Sequence, residues 1–241
     1  MIATVKQLFI ADWHHIKDQI KHWSHPHRWF TGLSFTLSII VTIIGVVQSG
    51  FSLASLMSIL GAIGIWGIAF TTKTNFFFNG AQNLTGIFVG MQSRIYGDAL
   101  TSLFYLVSEF FGWQQWTIHR NPDGSLRIET RENWLLLAFA ILFCGVFLGF
   151  VSWLLGGEHI VLDAITNSIS FLAQIYQMAR RRSAYYLWLA VDLFSIWLWA
   201  LTGQWAVVAM YLAFVIQGLA GLWNWHSLGE EQSLQEEVTN E

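Results

Sequence analysis

Charge is scarce in this chain. Only 11% of its 241 residues are Asp, Glu, Lys or Arg, while 54% are hydrophobic, and the mean hydropathy is +0.48. That balance excludes a water-soluble domain of this size and implies an integral membrane protein. Cysteine is scarcer still. The single Cys144 lies inside an apolar run, so a disulfide framework is excluded and the compartment goes unreported. Catalytic signatures are missing as well. The sequence has no His-Glu-x-x-His, no paired intramembrane aspartates, no Gly-x-Ser-x-Gly elbow, and no His near Cys144 in sequence. Neither a Walker A motif nor a Gly-rich nucleotide loop occurs, which argues against an ATP-driven pump and leaves no cofactor implied. The segment Met1 to Arg28 is polar and His- and Lys-rich, without the short apolar core and cleavage site of a signal peptide.

What the sequence does have is apolar runs of membrane-crossing length. Eight candidate spans cover 30–48, 53–72, 76–93, 98–116, 134–155, 162–179, 185–201 and 205–225, each able to cross roughly 30 Å of hydrocarbon. The third carries Asn79, Gln82, Asn83 and Gln92, amides that lipid would not tolerate, and is read as a helix buried in the bundle. Basic residues test the count. With eight spans, Lys6, Lys17, Lys21, Arg28, Lys73, Arg120, Arg127, Arg131 and Arg180–Arg182 share one side, 11 of the 12, and only Arg94 lies opposite. Without the first span the split is 7 against 5. Eight spans with both termini in the cytoplasm are therefore expected, and the arginine run reads as an inner-face anchor, not a nucleic-acid site.

The domain layout follows. Residues 1–28 read as an interfacial amphipathic segment, with Leu8, Phe9, Trp13, Ile16 and Ile20 at near-helical spacing. His22, His25 and His27 straddle a proline and offer no second ligand cluster, so no metal site is expected. An extra span occupies 29–50, a first three-helix unit 53–116, a loop with the turn signal Asn121-Pro122-Asp123-Gly124 117–133, a linking span 134–155, and a second three-helix unit 162–225. The acidic tail 226–241 lacks apolar periodicity and is expected to be disordered.

The two units are an internal repeat. Sliding the chain along itself until Lys73 falls on Arg182 also pairs Asn83 with Asp192, Tyr96 with Trp205, Gly112 with Gly221 and Trp116 with Trp225, without a gap. One intervening span makes the repeats parallel, an arrangement found in transporters with substrate near mid-membrane. Asp192 is an ionisable group at mid-span, the kind of residue that faces a cavity and marks a pathway. Trp188, Asp192, Ser195 and Trp199 lie on one helix face. A carboxylate between tryptophans suits an aromatic or cationic ligand. Gln174, Gln177 and Gln217 add amides that match ribose hydroxyls or a carboxamide, or else bridge helices. Trp205 and Trp225 are read as interfacial belt residues, and Trp199 as belt or site.

The second unit resembles the PnuC family of bacterial nicotinamide riboside transporters, through Asp163, Ala173-Gln174, the basic run, Trp188 with Asp192 and Ser195, Tyr211, and Gly221 with Trp225. In the first unit Asn75-Phe-Phe-Phe, Gln92, Tyr96 and the GWQQW of 112–116 are similar to the family's pattern. The resemblance covers roughly residues 53–226; the extra N-terminal span and its His-rich lead depart from the shorter members. It implies a SWEET-like duplicated bundle, a homotrimer, and facilitated diffusion of nicotinamide riboside, trapped by a cytoplasmic kinase. On that reading Trp188 stacks on or closes over the nicotinamide ring, Gln174, Asn83 and Gln217 bond ribose or carboxamide, and Asp192 offsets the pyridinium charge or orients those amides. Ser195, Tyr211 and Gln92 complete the expected site. Another small vitamin or a sugar as cargo, an accessory membrane component, and an intramembrane enzyme are the alternatives.

Overall fold

A computed structural model describes residues 2–121, 125–129 and 133–240, which form nine α-helices and, among these residues, no strand beyond two isolated bridges. They are α1 Ile2–His22, α2 His25–Ser49, α3 Leu53–Ala69, α4 Asn75–Gln92, α5 Tyr96–Ile118, α6 Trp134–Leu154, α7 Ile160–Met178, α8 Ala184–Leu201 and α9 Trp205–Asn240. The expected turn at Pro122–Gly124 lies outside the described residues. Four helices, α2, α6, α8 and α9, are long and apolar enough to cross a membrane by themselves. The protein is a multi-pass membrane protein.

The boundaries repeat. Moved by the offset that carries Lys73 onto Arg182, Asn75–Gln92 falls on the limits of α8, and the start of α5 falls on the start of α9. Backbone geometry repeats too. Positive φ angles occur at Gly50 and His159, Thr71 and Arg180, and Arg94 and Gly203, each pair related by that same offset. Left-handed backbone is unfavourable for residues other than glycine, so its recurrence at Thr71 and Arg180 shows that the turn geometry is fixed by the helices it joins.

Packing closes six helices into a ring in the order α3, α4, α5, α7, α8, α9 and back to α3, with α2 against α9 and α6 against α7 on the outside. Each unit's third helix thus packs on the other unit's first. The indoles of Trp116 and Trp225 show this directly: Trp116 Nε1 donates to the Gln177 carbonyl at 3.2 Å and Trp225 Nε1 to the Ile68 carbonyl at 3.2 Å. Donors and acceptors are again repeat equivalents. Each indole also meets an aromatic edge, Phe76 at 5.2 Å and Tyr185 at 5.3 Å between centroids. These four rings seal one end of the ring of helices.

Glycine makes that seal possible. A Cβ on Gly112 would fall 2.6 Å from Phe76 Cε1, and one on Gly221 would collide with the Tyr185 ring and hydroxyl. We expect Gly221→Ala to lower stability by about 1–3 kcal/mol through overpacking, read as a lower Tm in detergent. Gly32→Ala, where a Cβ meets nothing within 4 Å, should leave Tm unchanged or raise it.

Three sequence expectations are corrected. Trp225 is fully buried and hydrogen-bonded within the seal, not an interfacial belt residue, whereas Trp205 is exposed. α4 is not enclosed on all sides: Asn79 and Asn83 face inward, and Phe77, Leu84 and Phe88 are exposed on its outer face. The tail after Trp225 is helical as far as Asn240. It is held because Leu228 packs with Leu126 and Ile128, and Gln232 pairs with that same loop. At the other terminus α1 is pinned to the bundle, where the buried Asp12 carboxylate accepts from the backbone N–H of Lys73 at 3.1 Å and Thr74 at 2.7 Å. A carboxylate at the start of α4 also complements the helix dipole.

Candidate functional site

The ring of helices surrounds a partly open cavity. Every ring helix contributes to it. Its lining is arranged in repeat-equivalent pairs: Ile65 with Gln174, Ile68 with Gln177, Asn79 with Trp188, Gln82 with Val191, Asn83 with Asp192, Tyr105 with Phe214, and Glu109 with Gly218. The cavity therefore lies between the two units. Its chemistry is not symmetric. α5 and α7 supply Asp98, Tyr105, Glu109, Asn167, Ser170, Gln174 and Gln177, whereas α3 and α9 supply Ile65, Ile68, Phe214, Gly218 and, as their one polar group, Tyr211. Because α5 packs on α7 and α3 on α9, one wall is polar and the opposite wall largely apolar.

Between those walls stand α4 and α8. Trp188 presents its indole edge-on to Tyr105, 5.7 Å between centroids. Asn83 Nδ2 donates to Glu109 Oε1 at 3.4 Å, and Gln174 Nε2 to Ser108 Oγ at 2.8 Å. Several buried polar atoms find no protein partner, among them Asn79 Oδ1, Asp98 Oδ2, Glu109 Oε2 and Trp188 Nε1. Unsatisfied buried groups are few in native proteins and call for an explanation, and a polar ligand supplies one. Three carboxyl groups, Asp98, Glu109 and Asp192, line the cavity, and among the described residues no Lys, Arg or His does.

Of the residues singled out in the sequence, Trp188, Asp192, Gln174, Asn83 and Tyr211 meet in this cavity. Gln217, Ser195 and Gln92 do not line it. Gln217 is on the other face of α9, fully buried, and donates to the Ala62 carbonyl at 3.0 Å and to Ser38 Oγ at 3.4 Å, so it bridges helices. Ser195 is fully buried one turn beyond Asp192, and Gln92 is exposed at the last position of α4. Trp199 packs in an apolar cluster with Val207 and Met210. Asp163 also lies outside the lining: it accepts from Gly97 N at 2.9 Å, Ser152 Oγ at 3.1 Å and Asn167 Nδ2 at 2.6 Å, tying α7 to the start of α5.

Sequence reasoning missed α5. Asp98, Thr101, Ser102, Tyr105, Ser108, Glu109 and Gly112 recur at three- and four-residue steps, which puts polar groups on one helix face, and that stripe is the signal that could have found Asp98, Tyr105 and Glu109.

Comparison with known proteins places this geometry among transporters. The sequence profile described as nicotinamide mononucleotide transporter matches residues 51–227. A nicotinamide riboside transporter, PnuC, of Haemophilus influenzae is 30% identical over 239 residues, covering 95% of this chain and 97% of that protein. One of the same name from Neisseria mucosa is 26% identical over 200 residues, 75% of each chain. The fold is similar to the crystal structure of the vitamin B3 transporter PnuC, with a TM-score of 0.72 at 21% identity, covering 92% of this chain and 98% of that one.

Proposed function

The chain belongs to the nicotinamide mononucleotide transporter family, and on that premise we propose that it carries nicotinamide riboside across the membrane through the cavity between its two units. The observation that carries this reading is the lining: carboxyls and amides on one wall, apolar surface on the opposite wall, Trp188 between them against Tyr105, and no basic residue among those described. Nicotinamide riboside is a cation with a flat ring, a carboxamide and a ribose. Its ring suits Trp188 through stacking and cation–π attraction, its charge suits Asp192, Asp98 and Glu109, and its hydroxyls and carboxamide suit Asn83, Gln174, Asn79 and Gln177. The mononucleotide adds a phosphate. Placed among three carboxyls without a cation, that group would be repelled and desolvated at once.

Calorimetry on the purified protein tests this. Riboside should bind, and the mononucleotide should bind at least about tenfold more weakly, a difference of about 1.4 kcal/mol. Equal affinities, or competition by thiamine as strong as by riboside, would move the cargo to another vitamin.

In the arrangement we propose, eight helices cross the membrane as 1+3+1+3, α1 lies at the cytoplasmic face, and both termini are cytoplasmic in a bacterial inner membrane. Support comes from the basic residues gathered at the Lys73, Arg120 and Arg180 end and from the helix boundaries that recur from one unit to the next. Transport proceeds by alternating access as facilitated diffusion, in a homotrimer, and a cytoplasmic kinase retains the product by phosphorylation. Phosphorylation fits the lining, since a phosphorylated product would not re-enter a cavity lined by carboxyls. Flux into liposomes, with and without an enclosed kinase, distinguishes this from an accessory role.

A further inference from the structure

A second opening lies between α1, α2, α3 and the start of α4 and shares no lining residue with the central cavity. Ile16, Ile20, Phe35, Ile63 and Phe70 make its walls apolar. On the other flank of α2 is a further, shallower groove formed by α2 residues alone, Trp29 and Leu33 among them. Arg28 and Gly32 border both. Gly32 acts as a saddle between the two grooves, because a side chain there would meet nothing within 4 Å. Arg28 is in the first turn of a membrane-length helix, which sets its guanidinium at headgroup level.

Two features at this place point to a ligand. One amino group of Arg28 donates to the Lys21 carbonyl at 2.6 Å, which fixes the guanidinium over the grooves and leaves its other N–H groups available to an anion. One turn deeper, Thr31 is 5% exposed, lines the opening, and its hydroxyl has no partner. A buried threonine in a helix ordinarily bonds back to the preceding turn; this one does not. The surrounding segment is basic, with Lys6, Lys17, Lys21 and Arg28 against Asp12 and Asp18, and Asp12 is taken up by the start of α4.

We propose that this site binds an anionic phospholipid, with its phosphate on Arg28, an ester oxygen accepting from the Thr31 hydroxyl, and one acyl chain in each groove beside Gly32. Two grooves meeting at one cation match the two chains and single phosphate of such a lipid. The bound lipid would wedge α1 against the α3–α4 turn. None of its contacts belongs to the riboside cavity.

Native mass spectrometry of the full-length protein decides this, with phosphatidylglycerol and phosphatidylcholine of the same acyl chains as probes. Phosphatidylglycerol should remain bound at collision energies that strip phosphatidylcholine. Arg28→Gln should lower its retention about fivefold, the weight of one basic contact at a membrane surface, and Gly32→Leu should lower it by filling the saddle, both with riboside affinity unchanged. Equal retention of the two lipids, or retention of phosphatidylglycerol unaffected by Arg28→Gln, overturns the proposal. So does a smaller oligomer in Gly32→Leu with lipid retention intact, which would make the groove a subunit interface. Should Gly32→Leu fail to fold, judged by lost riboside binding, the exposed Arg28→Gln decides alone.

Discussion

Trp188→Ala should weaken riboside binding about 100-fold. The indole is the one tryptophan in the cavity lining, its ring is set by the Tyr105 edge, and its Nε1 is buried without a partner. Stacking an aromatic cation on an indole contributes roughly 2–3 kcal/mol, and each 1.4 kcal/mol is a factor of ten in affinity. Trp188→Phe should keep most of the ring contact and lose the indole donor, for a deficit of about tenfold. Calorimetry with riboside measures both, and affinity within threefold of the wild type in Trp188→Ala would remove this residue from the site. Trp199→Ala is the control. That ring is fully buried in an apolar cluster, so its truncation should cost about 3–5 kcal/mol of stability while the affinity of the folded fraction stays unchanged.

Trp188 can be placed from sequence because α8 carries its functional groups against an apolar background, where Asp192 stands out at mid-span. α5 is harder to read for the opposite reason. Its polar residues are many, and averaged over a span they register only as a weaker hydrophobic run; Asp98 and Glu109 emerge when the helix is taken face by face. Gln217 shows the converse error. Its depth along α9 is legible as mid-span, but its direction is not, and the face that meets the cavity is set by Tyr211, Phe214 and Gly218. The positions of the apolar helices and the internal repeat are legible because hydrophobic length and paired glycine–tryptophan ends are local features. The closure of the ring through α5 against α7 is not. That contact joins residues far apart in the chain, such as Trp116 and Gln177, and no periodicity encodes it. The helical tail escapes for a similar reason, since its partners lie far upstream, in the loop between α5 and α6.

Those tail contacts carry the second large effect. Residues 120, 121 and 125–129 lie across the sealed end as a strap: Arg120 donates to the Thr71 carbonyl, Arg180 Nε donates to the Arg127 carbonyl at 2.9 Å, Glu129 N donates to the Arg180 carbonyl at 3.0 Å, and the Glu129 carboxylate pairs with Arg180 at 3.3 Å. Burial pulls the Arg180 guanidinium below its ordinary pKa, and Glu129 opposes that. Thr71 and Arg180 are equivalent positions of the two units, so the strap binds the units together beneath Trp116 and Trp225. Gln232 locks it. Its side-chain Oε1 accepts from Ile128 N at 2.9 Å and its Nε2 donates to the Leu126 carbonyl at 2.8 Å, and both loop residues are buried.

In Gln232→Ala those two backbone groups lose their partners, at about 1–3 kcal/mol each. Together that shifts the opening of the strap by about 100-fold, and amide exchange at 125–129 should rise by that order, since exchange reports local opening. Riboside affinity should stay within threefold, because Gln232 does not line the cavity, while flux into liposomes should rise if separation of the units at this end limits transport. Gln232→Glu keeps the acceptor for Ile128 and loses the donor to Leu126, so its exchange should fall between the two. Unchanged exchange in Gln232→Ala would show that the loop is held by its other contacts, those of Arg120, Arg180 and Leu228, without Gln232. A loss of riboside affinity comparable to that of Trp188→Ala would show instead that the tail supports the cavity itself, and the strap would then be part of the site's scaffold and not its gate.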